Sequence, residues 1–326
     1  MKATAIAPSN IAFIKYWGRK DEELRLPENG SIAMNLSNLQ TITTVEFIPE
    51  LKNDEMAIDG KKETGVGLKR VIRHLNRIRS LTKIKSMAKA VSENNFPRAT
   101  GLSSSASGFA ALTLAASKAA GLDLNEKELS ILARQGSGSA CRSIPSGFVE
   151  WLDGNTNSTS CAISIFPEDY WQILDVVVIV SYEKKEILTS EGQKLAKSSI
   201  FFPLRQRLIK NKIKECKRLI KNKDFRRFGE LIEAEALELH AVMLTSEPSL
   251  IYWLPFTIKL INQVKSWRKE GIEVYFTLNT GQNLHLIVEE KDKDIIVKKL
   301  KKFKEIIKVI VNKPSIGARL TNKHLF

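Results

Sequence analysis

The stretch NNFPRATGLSSSASGFAAL constrains the fold of this chain more than any other. A predicted strand runs into a loop rich in glycine and serine, which leads directly into an alanine-rich helix ending at Gly121. Such a loop offers backbone N–H groups to an anion, and the helix N-terminus adds partial positive charge. It predicts a phosphate-binding site, with a capped, tightly packed helix as the alternative, and it lacks the lysine of a G-x-x-x-x-G-K-[ST] loop. The candidate phosphate-binding residues are Gly101, Ser103, Ser104, Ser105, Ser107 and Gly108.

Strand and helix patterns alternate along the first half of the chain. Strands are predicted in ATAIAP, TITTVEFI, KSMAKAVSE, GFVEWLDG and CAISIF, and further helices near residues 66–81 and 124–140. The β-branched run WQILDVVVIVS predicts a buried strand that opens the second half. There we expect helices near 186–198, 203–222, 224–243, 249–270 and 291–307, a strand-turn-strand unit in EVYFTLNTGQNLHLIVE and a closing strand VIVNK. Two domains are therefore predicted, at residues 1–175 and 176–326.

A second turn rich in glycine and serine lies in RQGSGSACRSIPSGFVEW. It carries Ser137, Ser139 and Arg142, and the planar fork of an arginine suits a carboxylate or a phosphate. The alternative is an arginine on a surface loop.

The N-terminal segment APSNIAFIKYWGRK places basic and aromatic residues directly after a predicted strand. Lys15, Tyr16 and Arg19 could line a pocket, or they could form a solvated basic turn. The sequence at this point leaves both interpretations open.

The net charge of +15 raises the possibility of a nucleic-acid-binding protein. Much of the excess lies in amphipathic helices such as RQRLIKNKIKECKRLIKNKDFRR, whose charges are typical of solvated faces. A basic protein also suits small polyanionic substrates, which we favour, so neither a nucleic-acid nor a membrane partner is expected.

The chain contains no run of 18 apolar residues, and Pro8, Ser9 and Asn10 interrupt its N-terminal apolar segment. We therefore expect no membrane span, no signal peptide and a cytoplasmic location. The widely spaced Cys141, Cys161 and Cys216 predict reduced thiols rather than a zinc site, with an intracellular disulfide as an open alternative.

Taken in order, the strings APSNIAFIKYWG, LPENGSI, SENNFPRATGLSSSASGFAAL and GSGSACRS resemble the galactokinase, homoserine kinase, mevalonate kinase and phosphomevalonate kinase superfamily. Within it they are similar to the diphosphomevalonate decarboxylases. The resemblance implies an α+β fold with an N-terminal ribosomal-protein-S5-like domain and a C-terminal ferredoxin-like domain. It also implies a cleft between the domains, ATP and Mg²⁺ as cofactors, and a homodimer.

The resemblance further implies ATP-dependent 3-phosphorylation and decarboxylation of 5-diphosphomevalonate to isopentenyl diphosphate. Lys15 would stabilise the transferred or departing phosphoryl group, and Arg142 would hold the substrate carboxylate. The glycine- and serine-rich loop would bind the ATP phosphates, with Ser105 and Ser107 nearest the metal. The remaining substrate contacts would come from Tyr16, Arg19, Arg70, Ser137 and Ser139.

One string departs from the family pattern. Diphosphomevalonate decarboxylases carry a string like T-F-D-A-G-P-N, whose aspartate is the assigned base, whereas this chain reads TLNTGQN with Asn279 at that position. An amide cannot accept the proton, so an impaired form is expected. Three interpretations stay open: an engineered replacement, a natural relative with altered chemistry such as a mevalonate-type 3-kinase or a phosphomevalonate decarboxylase, and a displaced alignment of this loop.

Overall fold

The computed structural model describes residues 1–98 and 100–326, which form two large β-sheets with helices packed on them and a small two-stranded sheet, β2–β3. The first half contains β1 (Lys2–Ile14), β2 (Arg19–Asp21), β3 (Leu26–Pro27), β4 (Ser31–Ile48), β5 (Glu55–Ile58), β6 (Lys61–Lys62), α1 (Gly65–Ser80), β7 (Met87–Asn94), α2 (Ser104–Ala119), α3 (Glu126–Gly136), a 3₁₀ helix (Gly138–Ser143), β8 (Phe148–Trp151) and β9 (Ala162–Phe166). The second half contains β10 (Ile173–Ile179), α4 (Thr189–Gly192), a 3₁₀ helix (Gln193–Ser198), α5 (Phe202–Asn222), α6 (Phe225–Leu244), α7 (Pro255–Lys269), β11 (Val274–Thr277), β12 (Leu284–Glu289), α8 (Glu290–Leu300), β13 (Lys308–Asn312) and β14 (Arg319–Thr321).

The first sheet is organised around β4, which is long enough to pair with three strands. It runs antiparallel to β1 on one edge, and β7 and β8 share its other edge. The order along the sheet is β14–β1–β4–β7–β5–β6, and β9 extends it beyond β8. The alanine-rich α2 lies against β1 and β4, since its small side chains permit a close approach to the sheet.

The second sheet has the order β11–β12–β10–β13, and all its neighbouring strands are antiparallel. Its central strand β10 is the predicted β-branched run, and all seven of its residues are buried. The expected α+β class is confirmed. The predicted boundary between residues 175 and 176 falls inside β10, and the C-terminal β14 returns to pair with β1 of the first sheet.

Three helices of the second half are shorter than the sequence pattern predicts. The helix expected from residue 249 begins at Pro255, because proline fits the first turn of a helix but not its interior. The helix expected over 186–198 is the short α4 followed by a 3₁₀ helix, and the one expected to reach 307 ends at Leu300.

A shared apolar cluster holds the two sheets in fixed relation. It joins Phe13 of β1 and Phe148 of β8 to Val177 of β10 and to Phe228 of α6, all fully buried. No described helix is both long and apolar enough to cross a membrane. Cys141, Cys161 and Cys216 are buried free thiols, as expected.

Candidate active site

A cleft of about 380 Å³ opens between the first sheet, with α1, α2 and the 3₁₀ helix Gly138–Ser143, and the segments around α4 and between β11 and β12. One end has an apolar wall that includes Met56, Ile58 and Phe109, and the remainder is polar and basic. The predicted site residues that line it are Lys15, Tyr16, Arg19, Arg70, Gly101, Ser103, Ser104, Ser105, Gly108, Ser137, Ser139, Arg142 and Asn279. Segments far apart in the sequence therefore meet at one cleft.

The serine-rich loop enters α2 through residues in the left-handed backbone conformation, Gly101 at φ 91° and Ser103 at φ 57°. A Cβ atom on Gly101 would lie 2.8 Å from Cα of Gly281, so the close contact between these two loops needs glycine. The Oγ atoms of Ser105 and Ser137 lie 3.3 Å apart, which joins the two glycine- and serine-rich segments. The N-terminus of α2 thus lies at the cleft among hydroxyl groups, an arrangement suited to an anion.

Ser107 is the predicted site residue that does not line the cleft. It is fully buried, with Oγ 2.6 Å from Thr41 Oγ1 and 3.3 Å from the carbonyl oxygen of Ser104. Residues two apart in an α-helix project about 200° apart, so Ser105 and Ser107 cannot both point into one cleft. The structure brings Ser105 there and leaves Ser107 against β4.

Lys15 is a buried cation with neutral partners. Only 2% of it is exposed, and Nζ donates to the carbonyl oxygen of Ala12 at 2.5 Å and to Thr277 Oγ1 at 2.7 Å. Burial lowers the pKa of Lys15 from 10.5 to about 7, although the negative charge of Glu235 opposes that shift. An anion in the cleft would restore its charge, which is a property of an anion-binding lysine rather than of a structural one.

Side chains of the second half of the chain form hydrogen bonds with the backbone of Lys15. Its N–H donates to Glu235 Oε1 at 2.9 Å, and Arg205 donates to its carbonyl oxygen at 2.9 Å. Glu235 and Arg205 form a buried ion pair at 2.5 Å between α6 and α5. These contacts fix the position of Lys15 relative to the cleft.

The free energy of unfolding is expected to depend on pH through Lys15. Between about pH 7 and pH 10.5 the unfolded chain binds a proton that folded Lys15 has released, so the stability of the ligand-free protein rises with pH there. Lys15→Met removes that contribution, up to about 1.4 kcal/mol per pH unit, and should stabilise the protein near neutral pH by roughly 1–2 kcal/mol. Urea unfolding from pH 7 to 9.5 measures the slope. The exposed Lys301→Met is the control, and equal slopes for wild type and Lys15→Met would refute the assignment.

Arg142 is a second buried cation without an acidic partner among the described residues. Its guanidinium donates to Ser31 Oγ at 2.6 Å and, through Nε and the second terminal nitrogen, to Asn10 Oδ1 at 3.3 and 3.1 Å. Burial lowers its pKa, and neutral acceptors fix its orientation without neutralising it. It can therefore bind an anion by a charge-assisted hydrogen bond.

Further cationic groups lie around Tyr16. Arg19 Nε donates to the Tyr16 hydroxyl at 2.9 Å and pairs with Glu22 at 2.6 Å. Arg70 reaches from α1 into the same end of the cleft, and its pKa is lowered by burial and by Arg19. Ser139 lines the cleft as predicted, and its carbonyl oxygen accepts from Asn10 at 3.3 Å.

Asn279 lies between the serine-rich loop and Lys15. Its Nδ2 donates to Ser103 Oγ at 3.0 Å, and its Oδ1 lies 3.5 Å from Lys15 Nζ. Its backbone carbonyl oxygen is 3.2 Å from His240 Nε2. Among the described residues that line the cleft the acidic one is Glu63, which pairs with Arg98 at 2.8 Å. Among the described residues that line the cleft, none places a carboxylate beside the ammonium group of Lys15.

Two family models match consecutive parts of the chain. Residues 7–162 match the diphosphomevalonate decarboxylase-like N-terminal domain, and residues 175–320 match the mevalonate 5-diphosphate decarboxylase C-terminal domain. The chain belongs to the diphosphomevalonate decarboxylase family. This result confirms the recognition made from the N-terminal motifs and places the chain among the decarboxylase enzymes of the mevalonate pathway.

Individual members of the diphosphomevalonate decarboxylase family align with this chain over nearly its whole length. The diphosphomevalonate decarboxylase of Candida albicans is 34% identical over 92% of this chain and 88% of its own. The phosphomevalonate decarboxylase of Haloferax volcanii is 34% identical over 90% of each chain. A solved structure described as MDDEF in complex with MVAPP, AMPPCP and magnesium aligns with TM-score 0.93 and 35% identity over 99% of both chains.

The sequence analysis missed Lys185, which lines the cleft next to the Asn279 loop. Its Nζ donates to Thr189 Oγ1 and to the carbonyl oxygen of Thr280, each at 2.6 Å, and burial lowers its pKa to about 7. The available signal was a pair of lysines, Lys184 and Lys185, a few residues after the buried strand β10. Its partner in the Asn279 loop lies 95 positions away, so only the fold reveals the contact.

Proposed function

We propose that this member of the diphosphomevalonate decarboxylase family uses ATP to phosphorylate and decarboxylate 5-diphosphomevalonate. The observation that carries the proposal is the pair of buried cations, Lys15 and Arg142, which lie without acidic partners in a cleft that also receives the N-terminus of α2. Such a cleft is suited to two polyanionic molecules at once, since each buried cation needs a negative charge that the protein does not supply.

The reaction transfers the γ-phosphoryl group of ATP to the 3-hydroxyl of the substrate and releases ADP. The C–O bond to the new phosphate then breaks, phosphate leaves, and the electron pair of the bond to the carboxylate forms the new double bond as carbon dioxide departs. The products are isopentenyl diphosphate, ADP, phosphate and carbon dioxide.

Each cationic group has a part in this proposal. The loop of Gly101, Ser103 and Ser104 binds the ATP phosphates together with the N-terminus of α2. Lys15 stabilises the phosphoryl group during transfer and departure, and Arg142 orients the substrate carboxylate. Tyr16, Arg19, Arg70, Ser137 and Ser139 contact the remaining charged groups of the substrate.

The residues present fit Mg²⁺ bound through substrate phosphates. The described residues contain no cluster of three histidine, cysteine or acidic side chains that could hold a metal by themselves. Mg²⁺ commonly keeps several waters and is held by few protein oxygens plus phosphates, which suits the hydroxyl of Ser105. Bound there, the ion would neutralise charge on the phosphates. We do not assign Ser107 a direct contact, because it is fully buried, does not line the cleft and forms a hydrogen bond with Thr41 Oγ1.

The residue at position 279 affects the expected rate of turnover. Its amide cannot serve as the base for the 3-hydroxyl proton, so we propose slow turnover by this chain compared with an aspartate form. Its position beside Lys15 supports the alignment of the loop with the family string. A phosphomevalonate decarboxylase is the second candidate, because one of the similar relatives carries that name. An engineered replacement and a 3-kinase both remain compatible with the amide, and a homodimer stays a prediction.

A thermal-shift experiment tests the proposal against the nucleic-acid alternative. ATP analogue with Mg²⁺ and diphosphomevalonate, each at about 100 times its Kd, should stabilise the fold by about 2.7 kcal/mol and raise Tm by several degrees. A structured RNA at matched ionic strength serves as the control. Absence of a shift with both small ligands, together with steeply salt-dependent RNA binding, would favour a nucleic-acid role instead.

A further inference from the structure

Three arginines converge at the end of the cleft beside Tyr16. Arg19 and Arg70 were expected there, and the third is Arg25, which precedes β3 and lines the same cleft. Arg25 and Arg70 also line a small crevice that continues beyond the cleft, toward Arg73 and Arg77 of α1. Glu22 and Glu23 line this crevice as well, so four arginines face two glutamates there. The excess positive charge therefore extends past Arg19 and Tyr16.

The backbone of Arg25 is in an unfavourable conformation for its residue type. Its φ is 52°, in the left-handed region where glycine and asparagine are preferred. Its Nε donates to the carbonyl oxygen of Gln135 at 3.1 Å, which directs the guanidinium along the end of α3. Strained residues of this kind concentrate at binding and active sites, where function compensates for the conformation.

The charges of this cluster are not balanced within the protein. Arg19 pairs with Glu22, but no acidic side chain forms an ion pair with Arg25 or Arg70 in residues 1–98 and 100–326. Arg70 Nε is buried without a hydrogen-bond partner in the same part of the chain. Burial, followed by the charges of Arg19 and Arg70, lowers the pKa of Arg25 to about 10.

We propose that Arg25 binds the terminal phosphate of the substrate and makes the cleft select a 5-diphosphate over a 5-monophosphate. This inference rests on the proposed function. Arg25 and Arg70 line both the cleft and the crevice, whereas Arg19 and Tyr16 line the cleft only. In this proposal Arg19 and Tyr16 contact the phosphate nearest the mevalonate carbons, and the second phosphate extends toward Arg25 and Arg70. A planar guanidinium can bind two phosphate oxygens at once, so its loss should affect the longer ligand selectively.

The competing interpretation gives Arg25 a structural role only. Both Arg25 and Arg77 donate to the carbonyl oxygen of Gln135 near the C-terminal end of α3, an arrangement that also stabilises a helix end. In that case removing Arg25 would lower Tm and leave the choice between the two substrates unchanged.

Calorimetric titration of the full chain with 5-diphosphomevalonate and with 5-phosphomevalonate separates the two roles. Arg25→Asn suits the test because asparagine tolerates the left-handed backbone, so Tm should stay within about 2 °C. Arg25→Asn should weaken diphosphate binding about tenfold or more and monophosphate binding less than about threefold. Arg25→Lys should restore part of the loss, and the exposed Arg207→Asn on α5 controls for net charge.

The outcomes of this titration are distinguishable. Equal weakening of both ligands, or none, would overturn the role of Arg25 while binding by the wild type would leave the proposed function standing. A lowered Tm with unchanged affinities would establish the structural interpretation. If the wild type binds neither ligand, the proposed function itself fails.

Discussion

Replacing Asn279 with aspartate is expected to raise the rate of diphosphomevalonate decarboxylation by about 10²–10⁴-fold, the usual contribution of a positioned general base. The site already accommodates a group of this shape, because Asn279 Nδ2 contacts Ser103 Oγ at 3.0 Å and Oδ1 lies 3.5 Å from Lys15 Nζ. Aspartate is nearly isosteric with asparagine, so substrate binding should change far less than turnover. The first step would gain a proton acceptor next to the cation that stabilises the phosphoryl group.

The same replacement is expected to change the pH dependence through Lys15. With an amide at residue 279, burial lowers the pKa of Lys15 to about 7 in the ligand-free protein, although the charge of Glu235 opposes that shift. A carboxylate at residue 279 favours the protonated ammonium and raises that pKa. The wild type loses the Lys15 charge as pH increases above 7, whereas the variant keeps it, so the ratio of their rates should grow between pH 7 and pH 9.

A matched assay of the two proteins follows ADP, phosphate and isopentenyl diphosphate together. Asn222→Asp, on an exposed residue at the end of α5, adds the same charge far from the cleft and should leave the rate unchanged. Equal rates for wild type and Asn279→Asp would show that the base lies elsewhere. Release of ADP without isopentenyl diphosphate from both proteins would identify a kinase.

The parts of the site that the sequence predicts are those formed by short, local patterns. The serine-rich loop and the turn with Arg142 are each contiguous, and each forms where a strand or helix meets its neighbour. Local patterns also limit which of these residues can reach the cleft. Ser105 and Ser107 lie in one string, yet helical geometry separates their side chains by about 200°, so only one of them could reach the cleft.

The parts that the sequence does not predict depend on contacts between distant segments. Thr280 positions Lys185 from a distant loop of the second half, and Glu235 and Arg205 position Lys15 across the interface of the two halves. Arg25 is a third case, because neither its left-handed backbone nor its proximity to Arg70 is encoded in a local motif. Such contacts arise from the packing of β10, α5 and α6 against the first sheet, which the hydrophobic pattern alone leaves undetermined.

Two buried arginines can be compared directly, Arg142, for which we propose a role in substrate binding, and Arg134, whose contacts are structural. Arg134 of α3 donates to the backbone carbonyl oxygens of Leu24, Asn157 and Ser160 and does not line the cleft. Arg142 has Asn10 and Ser31 as neutral side-chain acceptors and does line it. Both arginines are buried, so burial alone does not distinguish a binding role from a structural one. The two roles differ in whether substitution lowers activity or stability.

Arg142→Gln is expected to lower kcat/KM by about 10²–10³-fold, the effect of removing one member of a buried charge pair formed with the substrate carboxylate. The loss should be larger for carbon dioxide release than for ADP release, because the carboxylate is the group that we propose Arg142 orients. Tm should not fall, since the substitution removes a buried charge that the protein itself does not neutralise. Arg134→Gln should show the opposite behaviour, with stability reduced by about 2 kcal/mol or more as backbone acceptors lose their donor and with little change in the ratio of the two products. Parallel loss of both products and of Tm in Arg142→Gln would instead assign Arg142 to the fold.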